Sequence, residues 1–253
     1  MTAKEQLHKL TACSLSDVGR VRDHNEDAFF ADTERRLFIV SDGMGGAQAG
    51  SLASEIVVKI LPKMIEERAG EMGELSGNEI RLFLRRTIVE LGQLLRKESK
   101  NAVGIKGMGA TVVLAMVHRK QVYIAHMGDS RGYLFRNSRL TRLTKDHSIV
   151  GILLRHGDIT EEEAKKHPAK GRLSRYVGME GEVYPDVRAI IFKKGDKLLL
   201  CTDGLSGMLS DKAIEELLQE HSDPQAACRA LVEAANTAGG EDNITAVIVD
   251  FEK

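Results

Sequence analysis

Short apolar runs and longer amphipathic stripes alternate along this chain, and the switches between them predict its elements. The runs at 37–40 (LFIV), 111–115 (TVVLA), 122–125 (VYIA), Lys197–Cys201 and 244–249 (ITAVIV) are β-branched or leucine-rich and bounded by Gly, Asp or Asn. That pattern predicts strands. Ala53, Ile56, Val57, Ile60, Leu61, Met64 and Ile65 recur at three- and four-residue steps, as do Ile80, Phe83, Leu84, Thr87, Ile88, Leu91, Leu94 and Leu95. Each series lies on one helical stripe. Further helices are expected over Asp211–Glu220 and after Asp223-Pro224, where Asp caps and Pro takes the first helical position. The order is strands, two helices, many strands, two helices and a last strand, which is not a βαβ alternation. It predicts an α+β layered fold in which helix pairs cover antiparallel sheets. From about 149 to 178 strand signals thin out, and Thr160 and Glu163 form a capping-box pattern. This segment reads as a mostly helical insertion between two strands, either a plain surface excursion or a flap beside a site.

Composition narrows the classes. Four prolines and no Ser/Gly-rich tract leave the 253 residues without a linker, so a single domain over 1–253 is expected. Thirty-six Lys+Arg against 37 Asp+Glu give a net charge of −1, which supplies no global field for a nucleic-acid backbone. No apolar run approaches the ~20 residues that span a bilayer, and MTAKEQLHKLTACSLSD lacks the apolar segment of a secretory signal. Cys13, Cys201 and Cys228 are too few and too scattered for a disulfide framework or a thiolate zinc site. The expectation is a cytoplasmic protein with no nucleic-acid or membrane partner.

The chemistry lies in aspartates placed at the ends of apolar runs. LFIVSDGMGG, with Asp42-Gly43, is echoed by LLCTDGLSG, with Asp203-Gly204. Asp129 follows a third run in IAHMGDSR, Asp242 opens the last in GGEDN, and Arg22, Glu26 and Asp27 stand together in RDHNED just before Ala28-Phe29-Phe30. A lone Asp-Gly is ordinarily a turn. Several carboxylates at the rim of one core repel one another, and each costs several kcal/mol if desolvated without a partner. A divalent metal site is the economical solution. Carboxylates and carbonyls without a matching Cys or His set favour hard ions, Mg²⁺ or Mn²⁺. The eight histidines show no HxxxH-type spacing. Two such ions suit in-line displacement at phosphate, and the planar fork of Arg22 suits two phosphate oxygens.

These residues resemble the metal-dependent protein phosphatases (PPM, type 2C), in particular the bacterial serine/threonine branch. The resemblance runs from about 14 to 250 through GRVRDHNEDAFF, LFIVSDGMGGAQAGSLAS, GMGATVVLA, VYIAHMGDSRGYLF, LTKDHS, ITEEEAKKHP, LLLCTDGLSGML and GGEDNITAVIV. It implies a four-layer α-β-β-α sandwich with the metal centre in a cleft at one end and the 149–178 insertion as its flap. By matched position, Asp42 resembles the carboxylate bridging two Mn²⁺ or Mg²⁺ ions, and Gly43 the residue whose carbonyl binds one of them. Asp203 and Asp242 would complete the other. Glu26 and Asp27 would lie in the inner or water-mediated shell of the Gly43-side ion, Arg22 would bind the substrate phosphate, and Asp129 would help hold a weaker third ion. The implied reaction is hydrolysis of phosphoserine and phosphothreonine monoesters by metal-activated water, with no covalent phosphoenzyme. The implied partners are phosphorylated proteins, including a Ser/Thr kinase or its targets, and a monomer is expected.

Two positions depart from the family pattern: Ala47, where bacterial members often carry His, and Gly207, where many relatives are acidic. The first leaves the general acid unassigned, with a metal-bound water or His126 as stand-ins; the second weakens the case for a third ion. One rival is a nucleotide-binding loop at GMGGAQAG, but the G-x-G-x-x-G spacing fails at Gln48 and no Gly-Lys-Ser/Thr follows. The other is a catalytically silent phosphoprotein-binding module on the same scaffold, whose mark would be lost carboxylates.

Overall fold

The apolar runs are strands covered on both faces, which is why they read as unbroken rather than alternating. The computed structural model describes residues 9–68, 70, 75–101 and 107–251, with the backbone alone at 47 and 101. One sheet has the order β1-β11-β10-β7-β8, from β1 (Leu10–Asp17), β7 (Arg131–Arg136), β8 (Arg139–Arg142), β10 (Lys197–Cys201) and β11 (Ile244–Phe251). The other is β2-β3-β5-β6-β9, from β2 (Asp27–Asp32), β3 (Leu37–Met44), β5 (Val112–His118), β6 (Gln121–Met127) and β9 (Asp186–Ile191), with β4 (Gly109–Ala110) on β3. Every strand pair is antiparallel.

Side-chain alternation on these strands builds three apolar layers. Phe38, Val40, Val113 and Ala115 meet Leu198, Leu200, Val247 and Val249 between the sheets. Leu37 and Ile39 face outward onto α1 (Ala47–Glu67) and α2 (Gly77–Asn101), where Val57, Leu61, Ile88 and Leu91 receive them. On the opposite side, Leu199, Ala246 and Ile248 pack on α6 (Asp211–Glu220) and α7 (Pro224–Thr237) through Ile214, Leu218 and Leu231. The architecture is the expected four-layer α-β-β-α sandwich. Among the described residues, no helix is long and apolar enough to cross a membrane.

Local signals act where they were read. Asp223 accepts from Ala226 N at 2.8 Å with Pro224 at the helix start. Both halves of the Thr160–Glu163 capping box form at α4 (Glu161–Lys166). The insertion begins with α3 (Ile149–His156) and α4, lies between β8 and β9, and then runs without further helix. Strands β1, β2, β7, β8 and β9 carried no clear signal. They mix polar and charged residues with apolar ones, as in Arg-Leu-Thr-Arg of β8, and their pairing comes from neighbouring strands rather than from their own pattern.

Leu200, fully buried in the middle layer, should cost about 2–5 kcal/mol of unfolding free energy as Leu200→Ala. Leu82→Ala, at a side chain 51% exposed, should cost no more than about 0.5 kcal/mol. Urea titrations showing equal midpoint shifts would contradict this layering.

Candidate metal centre

Antiparallel register places the first carboxylates. Asp27 at the start of β2 lies opposite Asp42 near the end of β3, and Gly43 N donates to Glu26 O at 3.1 Å. The Asp42 backbone is then locked on both sides. Its N donates to Thr111 Oγ1 at 2.9 Å, and its carbonyl accepts from Thr111 N at 2.8 Å. The same Thr111 hydroxyl lies 2.6 Å from Ser130 Oγ, beside Asp129.

The second sheet brings the remaining carboxylates to the same end. Strand β10 stops at Cys201, and Asp203 is the first residue of the short helix α5 (Asp203–Ser206); the adjacent β11 begins just after Asp242 and Asn243. Thr202 and Thr245 each donate a hydroxyl to Asp27 Oδ2, at 2.8 and 2.7 Å, and so tie the two sheets together. Asn243 holds the loop between β1 and β2. Its Oδ1 accepts from Glu26 N at 2.7 Å, and its Nδ2 donates to the carbonyls of Val18 and His24, both at 2.9 Å. Arg22, on that loop, reaches Asp242 Oδ2 at 2.8 Å.

Two contacts require glycine. A Cβ on Gly50 of α1 would lie 1.7 Å from Glu26 Oε2 and 2.9 Å from the Gly43 carbonyl oxygen, so that carboxylate and that carbonyl close on one bare patch of helix. A Cβ on Gly204 would lie 2.0 Å from Asn243 O, which presses α5 against the start of β11.

The electrostatics follow from this crowding. Burial, and then the charges of neighbouring aspartates, hold Asp27, Asp42 and Asp129 well above the ordinary carboxylate range. Asp42 feels Asp27, Asp203, Asp129 and Asp242 together. Asp203 is raised by burial and by the charge of Asp242. Glu26 is raised by burial, against the pull of Arg22. The Oδ1 atoms of Asp27 and Asp203 are buried with no hydrogen-bond partner among the described residues. Arg131, next to Ser130, is committed to Asp146 at 2.8 Å. All-oxygen donors, mutual repulsion and orphaned acceptors fit hard divalent cations.

The structure thus brings Glu26, Asp27, Asp42, Gly43, Asp129, Asp203, Asp242 and Arg22 to one end of the sandwich. Sequence reasoning did not find Thr111, Thr202, Asn243, Thr245 or Gly50. Thr202 and Asn243 each adjoin a singled-out aspartate, whereas Thr111 and Thr245 sit inside apolar runs with no local mark. At Gly207, a Cβ would lie 2.7 Å from Asp203 O, so an acidic residue there would need this turn to shift. The Ala47 side chain lies outside the described residues. His126 is buried, with Nε2 against the Lys145 backbone, 2.9 Å from its carbonyl oxygen and 3.2 Å from its nitrogen.

A profile described as Protein phosphatase 2C matches residues 20–236. The serine/threonine phosphatase stp of Listeria monocytogenes is 41% identical over 238 residues, 93% of each chain. The solved serine/threonine phosphatase Stp1 from Staphylococcus aureus is similar with a TM-score of 0.87 and 31% identity, over 100% of this chain and 99% of that one. The catalytic domain of PstP, solved in complex with two manganese ions, gives a TM-score of 0.78 and 32% identity, over 96% of this chain and 99% of that one.

Crowded carboxylates have a sign-definite consequence for the metal-free chain. A folded-state pKa raised above the unfolded value adds stability at low pH and loses it as pH rises through the folded pKa. Asp42→Asn removes one of the repelling charges. In EDTA, its melting temperature should equal that of the parent near pH 4 and exceed it by a growing margin toward pH 8, roughly 4–8 °C per kcal/mol for a small domain and less for a chain of this size. A margin that is flat or shrinks with pH would show that Asp42 is not crowded.

Proposed function

The chain belongs to the protein phosphatase 2C family, and from that premise we propose that the carboxylate cluster serves hydrolysis of phosphoserine and phosphothreonine monoesters on proteins. It is a metal-dependent serine/threonine protein phosphatase whose cofactors are two Mn²⁺ or Mg²⁺ ions. The observation that carries the residue assignment is the pair of buried, unpartnered oxygens on Asp27 and Asp203 amid carboxylates that raise one another's pKa.

In this reading Asp42 would serve both ions, and the Gly43 carbonyl, with Glu26 and Asp27 directly or through water, would help hold one of them. Asp203 and Asp242 would help hold the other, and Asp129 a weaker third. When bound, such ions supply Lewis-acid stabilisation of phosphoryl oxygens and lower the pKa of a coordinated water towards neutrality.

Arg22 receives the substrate. Its side chain is 51% exposed, and its pair with Asp242 is an open one, worth at most about 1 kcal/mol. A phosphate can therefore share or displace Asp242 and be gripped by two parallel N–H donors. Thr111 and Asn243 act by position: the first fixes the Asp42 backbone, the second the loop carrying Arg22 and Glu26. Cysteine chemistry does not compete. The Cys201 thiol is fully buried, and burial pushes its pKa up to about 12, so it offers no thiolate as nucleophile.

The substrates are phosphorylated proteins, among them a Ser/Thr kinase or its targets. The chain would act as a cytoplasmic monomer and as one domain over 1–253, with the 149–178 flap shaping access.

Asp42→Ala should abolish Mn²⁺-dependent hydrolysis of p-nitrophenyl phosphate, a loss of about 4 kcal/mol or more in transition-state stabilisation, or about a thousandfold, while circular dichroism stays native. Asp203→Ala and Asp242→Ala should behave alike. Near-normal turnover by Asp42→Ala would contradict the bridging role. Arg22→Ala should raise KM about 10- to 100-fold, as expected for a charge-assisted contact of about 1.5–3 kcal/mol, with calorimetric Mn²⁺ affinity retained; a collapse of that affinity would reassign Arg22. EDTA-sensitive phosphate release from a phosphothreonine peptide, and little from a phosphotyrosine peptide, tests the substrate class.

A further inference from the structure

The flap leaves and rejoins the sheets through a narrow neck. Ser148 and Leu173 form an antiparallel bridge, and Ile149 N donates to Arg172 O at 2.9 Å. Just below it, Ser174 N donates to His147 O at 2.8 Å, and His147 N donates to Gly128 O at 2.9 Å. The His147 ring adds two further contacts. Its Nδ1 accepts from Gly128 N at 3.4 Å, which leaves the proton on Nε2 to be donated to Asp186 Oδ2 at 3.3 Å. Asp186, the first residue of β9, also receives Arg175 from the returning flap at 3.0 Å.

Neighbours stiffen this junction. The His126 ring stacks on His147, with centroids 4.6 Å apart. Asp146, the preceding residue, takes Arg131 at 2.8 Å and Arg142, and its carbonyl accepts Arg155 of α3 at 2.8 Å. Gly128 directly precedes Asp129 and lies against Thr111, so close that a Cβ there would sit 2.6 Å from Thr111 Cγ2. Burial, with His126 adding to it, holds the His147 pKa down to about 4, so the ring is neutral at pH 7.

Ligating atoms of His126, His147 and Asp186 lie within 4.8 Å of one another, a spacing that a transition metal also uses. Here Arg175 already neutralises Asp186, and His126 Nε2 is taken by Lys145 O. The group is a hydrogen-bonded junction, and what it joins is the flap and the turn that bears Asp129.

We propose that His147, braced by Asp186, is a positioning residue that clamps the flap neck to the Gly128–Asp129 turn and thereby sets how protein substrates, but not small aryl phosphates, are engaged. The inference rests on the phosphatase reading. A phosphoprotein must lie across the flap as well as over the carboxylates, so the orientation of the flap enters its binding; p-nitrophenyl phosphate has nothing that reaches beyond the cleft. Asp186 contacts both the flap and His147 without belonging to the carboxylate cluster, and its removal loosens the clamp from outside the site.

Asp186→Ala is the primary variant, since the Asp186 side chain is 47% exposed and leaves no buried cavity. His147→Gln is the second; it can keep a donor towards Asp186 but loses the acceptor for Gly128. Two readouts are taken. With a phosphothreonine peptide of a dozen or more residues, kcat/KM should fall about tenfold, equivalent to about 1.4 kcal/mol, through KM, while p-nitrophenyl phosphate turnover changes by less than about twofold. Without substrate, amide hydrogen exchange in Asp186→Ala should rise together at peptides spanning Gly128, His147 and Ser174, with β5, β10 and β11 as protected as in the parent. Parallel losses on both substrates, or faster exchange confined to β9, would overturn the clamp. A parent chain that hydrolyses neither substrate would overturn the phosphatase reading instead, and the exchange data would still decide the clamp.

Discussion

Like charges crowd at one end of this sandwich, and the surrounding structure holds them there against their own repulsion. Asp27, Asp42, Asp129 and Asp203 are each raised by burial and by aspartate neighbours, while the arginine beside Asp129 is spent on Asp146. A protein gains nothing in stability from such a cluster. Its cost is of the kind accepted where a cation must be bound, and the elements around it must hold against it.

That hold comes from two sources. The first is the double coverage of the central strands. Three apolar layers grip β3, β10 and β11 from both sides, so strands that end in carboxylates cannot retreat to relieve the repulsion. The second is a small set of neutral hydrogen-bonding side chains. Thr202 and Thr245 share one oxygen of Asp27, Thr111 fastens the backbone of Asp42, and Asn243 gathers three backbone groups of the loop before β2. These groups hold the acids in place without neutralising them, which leaves their charge available to a cation.

Beyond this rigid end, the flap is attached differently. Its neck depends on polar contacts around Asp146, His147, Arg175 and Asp186 rather than on the layered core. Contacts of that kind are individually weak, and the elements that adapt to ligands are drawn from regions held in this way. A firm catalytic end and a separately clamped flap suit an enzyme whose chemistry is the same for every phosphomonoester but whose substrates are different protein surfaces.

The primary sequence alone determined the elements whose signal is local. The amphipathic stripes became α1 and α2, Asp223-Pro224 and Thr160–Glu163 capped the helices they announced, and the doubly covered strands showed as apolar runs, because burial on both faces leaves no polar alternation. It also marked the acids, since an aspartate closing an apolar run is unusual enough to notice when repeated. Only the tertiary structure decided which residues hold those acids and how the flap is fastened. Thr111, Thr245 and His147 make their contacts with residues far along the chain, which meet them only when strands distant in sequence pair and the sheets pack. A threonine inside a strand has the same local appearance whether its hydroxyl meets a buried aspartate or water, so its role exists only once the two sheets have closed.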